Sequence, residues 1–212
     1  MTHAKYGFLA GGLIAAWFAF SLAASSLGLF AGNTAGFGLP VAIAALTPLL
    51  LFFLWFAGSS GFREFTLSLD PRILAIVQTW RIGGFVFVVL AGFGLLPRLF
   101  AYPAGFGDML IGATAPLVAF GLIRFDRRLN FIVWQSLGIL DLVNAVALGT
   151  TASLITSGHV DMTPMTVLPL SIVPTFLVPL FLILHVISIA QARRWPAGAY
   201  PRLSRELGSS LA

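Results

Sequence analysis

The chain contains no cysteine. That removes disulfides, thiolate zinc sites and cysteine-ligated iron–sulfur clusters, and says little about compartment. Its only lysine is Lys5, close to the N-terminus. A retinal Schiff base of the opsin kind needs a lysine within a helix, so that chemistry is closed. Charge is scarce too: 9% of the 212 residues are Asp, Glu, Lys or Arg, against about a quarter in a soluble domain. So few charges cannot clothe a surface in water. No nucleotide-binding loop, HExxH zinc motif or haem-attachment motif occurs. Of the three histidines, His3 and His159 fall outside the apolar runs, on opposite faces, so a haem held between two helical histidines is excluded.

What the chain has is apolar length. It is 58% hydrophobic, with a mean hydropathy of +0.98. Long apolar runs recur from end to end, which predicts an all-α, polytopic integral membrane protein: one six-helix transmembrane domain covering residues 1–212. The spans read as 7–30, 38–57, 73–95, 107–123, 129–150 and 169–190, each near the ~20 residues a bilayer needs. Asp70-Pro71 opens the third as an N-cap followed by proline at the first helical position. Leu96-Pro97 and Tyr102-Pro103 mark the loop before the fourth, and Asp108 is expected to cap that helix after Gly107. The first run is longer than a signal peptide's apolar core and reads as a retained helix.

The pI near 10.8 would suggest nucleic acid if the basic residues formed a patch. They lie instead in the loops between apolar runs. Lys5, Arg63, Arg72, Arg124, Arg127, Arg128, Arg193, Arg194, Arg202 and Arg205 fall on one side, and only Arg98 on the other. Positive loops mark the cytoplasmic side, so the expected topology is N-in and C-in within a cytoplasmic (inner) membrane. The expected partners are membrane lipids, with further copies or a larger membrane complex left open, and no nucleic acid.

Gly7, Gly11, Ala15, Ala19 and Ala23 recur every fourth residue and form a ridge of small side chains, expected to pack on another helix of the same chain. Pro179 and Pro174 lie within the last span and would free the carbonyls of Thr175 and Leu170. A kinked sixth helix follows, and each freed carbonyl needs another partner or a polar cavity. Gly58-Ser59-Ser60-Gly61 resembles the GxSG nucleophile motif of rhomboid intramembrane proteases, a six-helix family with a histidine on a later helix. The resemblance would cast His185 as the base. It covers one tetrad and one histidine, and the tetrad leaves the second span rather than opening a middle helix. The family's other histidine and asparagine motifs are missing, so a turn accounts for GSSG.

Strongly polar residues within the spans are few: Gln78, Arg81, Gln135, Asp141, Asn144 and His185. A charge at mid-helix costs about 2.5–3.5 kcal/mol on insertion scales, so such residues are usually paired or functional. Arg81 either reaches back to the near interface or pairs with Asp141, with Gln78 one turn back on the same face. Asp141 is too short and too deep to reach water, which favours the pair. His185 reads as a hydrogen-bonded helix contact, a proton relay or a quinone contact. His159 and Asp161 lack a third ligand, so no metal site is expected. These six residues define the candidate substrate or proton pathway of a small transporter or permease-like module, without a predicted catalytic residue. A scaffold subunit with a structural Arg–Asp pair, and an intramembrane enzyme or binder acting on a lipid or quinone, are the alternatives. No cofactor is expected, with a bound lipid or quinone left open.

Overall fold

In the third long apolar segment the helix changes its winding, and this sets the position of the polar centre. The computed structural model describes residues 3–31, 38–155 and 160–195; His159, Arg202 and Arg205 lie outside them. Helix α1 (His3–Ser26) and α2 (Leu39–Gly58) come first, followed by a short α3 (Ser60–Leu67). The third segment is α4 (Pro71–Val77), a 3-10 stretch (Gln78–Gly84) and α5 (Phe85–Gly92). Then come α6 (Arg98–Gly121) and α7 (Arg128–Ile155). The last segment opens as a π turn (Val173–Leu177) and continues as α8 (Val178–Arg193). Six helices are long and apolar enough to cross a membrane, and among the described residues there is no strand.

The expected caps hold in the third segment. Asp70 accepts from the Arg72 amide at 2.8 Å, with Pro71 at the first helical position. The fourth helix differs from expectation. It begins at Arg98, after an extended Pro97, and runs through Tyr102-Pro103. Pro103 deprives only the Leu99 carbonyl of its helical donor, and Leu99 is exposed near the helix end, where that loss is tolerable. Asp108 therefore sits ten residues inside α6 and caps nothing. GSSG is not a simple turn either. Ser59 breaks α2 and caps α3, accepting from the Phe62 amide at 3.2 Å. Neither Ser59 nor Ser60 bonds His185, and Ser60 is exposed.

Helices α4 to α8 pack around one another, with α6 against the whole third segment and α7 between α6 and α8. α1 and α2 sit at the edge, on α3, α8 and the π turn. The small-residue ridge of α1 is largely bare among the described residues: Gly11, Ala15, Ala19 and Ala23 are exposed, while Gly7 lies beside Phe65. The face of α1 that does dock combines aromatic contacts, Trp17 and Phe18 on Phe176, with polar ones. The indole N–H of Trp17 and the Ser21 hydroxyl donate to the Thr175 carbonyl at 3.0 and 3.4 Å. Ser171 donates to the Ser25 hydroxyl at 2.8 Å. Thr175 is the residue whose carbonyl Pro179 frees, so the proline supplies the acceptor that holds α1.

One end of the bundle collects the start of α1, α3, the start of α4, the end of α6, the start of α7 and the end of α8. Cross-links fix this arrangement: Tyr6 to Ser59 at 3.4 Å, Gln191 to the Leu69 carbonyl at 2.8 Å, and Arg128 to the Arg193 carbonyl at 3.2 Å. Lys5, Arg63, Arg72, Arg124, Arg127, Arg128, Arg193 and Arg194 belong to this basic end, while Arg98 opens α6 at the other.

Candidate functional site

A 3-10 helix has three residues per turn, so side chains three apart eclipse. Gln78, Arg81 and Gly84 are therefore stacked on one face, and these three are the buried residues of the stretch. An α-helix would turn each successive member away by about 60°. The tight winding lets α6 come close. A Cβ on Gly84 would lie 2.5 Å from the Cβ of Asp108, and one on Gly112 would lie 2.5 Å from the backbone nitrogen of Ile82. Likewise, a Cβ on Gly107 would strike the Asp141 carboxylate and one on Gly138 the His185 ring. Glycines from three segments thus clear the space around one guanidinium.

Arg81 is 2% exposed, which rules out a reach to the interface. Its Nε donates to Asp108 Oδ1 at 2.7 Å, and one Nη donates to Asp141 Oδ2. The other Nη faces His185 Nε2 at 3.1 Å and the Gly138 carbonyl at 3.4 Å. Arginine can only donate, so His185 Nε2 accepts and the ring proton is on Nδ1, where it bonds the Gln135 side-chain oxygen. The imidazole is neutral and its tautomer is set by both neighbours. Helices α6, α7 and α8 are thereby tied to the 3-10 segment through a single side chain. At 1.5 Å per α residue, Asp108 and Asp141 lie about 20 Å from the basic end, and His185 about 12 Å. The centre lies in the middle third of the bundle.

Of the six expected residues, Arg81, Gln135, Asp141 and His185 form this network. Gln78 is buried one 3-10 turn from Arg81 on the same face, with both amide atoms unpartnered. Asn144 is apart: it is exposed and bonds none of the centre. Asp108, which was expected to be a cap, is the second carboxylate. Its signal in the sequence was Gly105, Gly107 and Gly112 around it, a pattern of close approach rather than of helix initiation.

Between α6 and α7 lies a lateral groove of about 540 Å³. Leu110, Leu137 and Leu140 form its exposed rim, and Trp134 and Ile111 its wall. The Trp134 indole donates to the Thr114 hydroxyl at 2.9 Å. Asp141 and Asn144 supply its polar end. The carboxylate of Asp141 thus has two aspects, Oδ2 on Arg81 and Oδ1 without a hydrogen bond from the described residues.

These features first define a class: an all-helical protein with six long apolar helices, in which the third segment, α6, α7 and α8 hold an arginine–dicarboxylate–histidine centre beside a lateral groove. The chain belongs to the family described as a domain of unknown function (DUF8737), whose model matches residues 36–193. The matched region holds every residue of the centre and the groove; α1 precedes it. No curated protein and no solved structure matches the chain.

Proposed function

We propose that the protein is an integral membrane protein that binds a lipophilic molecule with a hydroxyl or phenolic head, taken up from the bilayer through the groove between α6 and α7. The observation that carries this reading is Asp141, a partly buried residue that lines the groove, with Oδ2 held by Arg81 and Oδ1 without a hydrogen bond from the described residues. The groove has the size and character of small-molecule sites, about 300–1,000 Å³ and mostly apolar with a few placed polar groups. Its rim leucines are exposed at mid-helix, where a bilayer would place hydrocarbon. A hydroxyl would donate to Asp141 Oδ1 and accept from Asn144, while its chain lies along Leu110, Leu137 and Leu140. Arg81 holds the carboxylate in place and compensates its charge.

The basic end faces the cytoplasm in this proposal, by the excess of arginine there, so both termini are cytoplasmic in an inner membrane. A permease-like role is the second reading. It is favoured by the two irregular segments, the 3-10 stretch at Gln78–Gly84 and the π turn at Val173–Leu177, since transporters build midplane sites from interrupted helices. A photoreactive long-chain alcohol tests the binding site in reconstituted bilayers. Adducts should map to residues 110–114 and 137–144, and Asn144→Leu should reduce them. Adducts spread evenly over α1, α2 and α6 would refute the groove as a site.

A further inference from the structure

The chain contains three glutamines, Gln78, Gln135 and Gln191. All three are buried, and all three carry a side-chain atom with no partner among the described residues. With Thr79 Oγ1, the unpartnered buried atoms are both amide atoms of Gln78, Nε2 of Gln135 and Oε1 of Gln191. Their arrangement is one-sided. Gln78 and Gln135 each lie seven residues in from the basic end, about 10 Å, and Gln191 lies about 3 Å from it. Each precedes the Arg81–His185 centre when approached from that end.

The other half of the bundle is different. Among the described residues its buried polar side chains are all matched: Ser171 bonds Ser25, Thr175 bonds the Ser171 carbonyl, Ser21 bonds the Thr175 carbonyl, and Thr166 bonds the Thr163 carbonyl. The same half holds an apolar cluster that includes Phe87, Leu96, Phe100, Met162 and Met165. Buried amides are hydrogen-bonded in native proteins, and where the chain supplies no partner, internal water does. A glutamine amide offers two donors and an acceptor, enough to hold such water.

We infer that Gln78, Gln135 and Gln191 line a file of internal water that joins the Arg81–His185 centre to the basic end of the bundle, the opposite half being sealed. The file gives the centre exchange with water from one membrane face only. It stands independently of the groove ligand, since the atoms that define it are not groove residues.

The glutamine count makes the test direct. Protein carrying side-chain 15N-glutamine and 13C-methyl methionine is reconstituted in bilayers, and magnetisation transfer from water is followed by solid-state NMR. The expected result is that the Gln78 and Gln135 amides receive water magnetisation as fast as Gln191, with the Met162 and Met165 methyl groups several-fold slower. Gln78→Leu removes one amide signal and assigns it; sequential correlations assign it if that variant does not fold. The inference is overturned if Gln78 and Gln135 lag with the methionines while Gln191 alone is fast. It is equally overturned if Met162 and Met165 keep pace with the glutamines. Because the readout is water and not ligand, a dry file leaves the groove proposal standing, and a failed photolabel leaves the file standing.

Discussion

Replacing both carboxylates of the centre should cost more than the sum of replacing each. Arg81 holds Asp108 through Nε and Asp141 through Nη2. In Asp108→Asn or Asp141→Asn, the amide oxygen can still accept and the other carboxylate still balances the guanidinium. Each single change therefore replaces a charged hydrogen bond worth about 1.5–3 kcal/mol by a neutral one worth about 0.5–1.5, a loss of about 1 kcal/mol. The double variant leaves a buried guanidinium with no counter-charge, the situation that costs about 3–5 kcal/mol. The coupling is then about 1–3 kcal/mol beyond additivity, within the range seen for groups sharing one partner. Thermal unfolding in lipid nanodiscs reads it as a drop of about 3 °C for each single change and about 10 °C for the double, at roughly 2–4 °C per kcal/mol for a chain of this size. Adding Arg81→Met to the double removes the stranded charge and should recover much of the loss, since uncharged replacements of buried ion groups are often neutral. Strict additivity, or a triple variant weaker than the double, would refute the idea that two carboxylates share one cation.

Further expectations follow from the packing. Gly112→Ala sets a methyl 2.5 Å from the Ile82 backbone nitrogen, and should destabilise by about 1–3 kcal/mol in the same unfolding assay. Gly11→Ala, with open space around it, should stabilise α1 by up to about 1 kcal/mol; a loss instead would reveal a partner on the α1 ridge. Trp17→Phe removes the donor to the Thr175 carbonyl at a cost of about 1 kcal/mol, and proteolysis between α1 and α2 should accelerate relative to wild type. In a chain without cysteine, Asp126→Cys should react with an impermeant maleimide only from the cytoplasmic side and Val160→Cys only from outside; the reverse pattern overturns the orientation.

The six long apolar helices and the Arg81–Asp141 pair were legible because each rests on a strong local signal: apolar length in one case, and a carboxylate too short to reach water in the other. The thread from Pro179 to the Thr175 carbonyl was half legible. The freed acceptor follows from proline chemistry, whereas its donors, Trp17 and Ser21, lie over 150 residues away. Asp108 was misplaced because Tyr102-Pro103 imitates a loop, and a proline near a helix start leaves few carbonyls stranded. The ridge of α1 has a periodicity that fits any helix neighbour, so it could not say that Ser21 and Ser25 would dock instead. The 3-10 winding was hidden for a different reason. It depends on close approach between glycines of two separate helices, which no local pattern encodes.

The central claim is that Asp141, steadied by Arg81, presents a hydrogen-bond acceptor to a lipophile in the lateral groove. Its most direct test is competition against the photoreactive alcohol by a long-chain alkylphenol and by its methyl ether, which differ only in the donor. A hydrogen bond to a charged acceptor contributes about 1.5–3 kcal/mol, so the phenol should compete at least ~10-fold better than the ether, at 1.4 kcal/mol per factor of ten. That advantage should shrink in Asp141→Asn. Equal potency of phenol and ether on the wild-type protein would contradict the account.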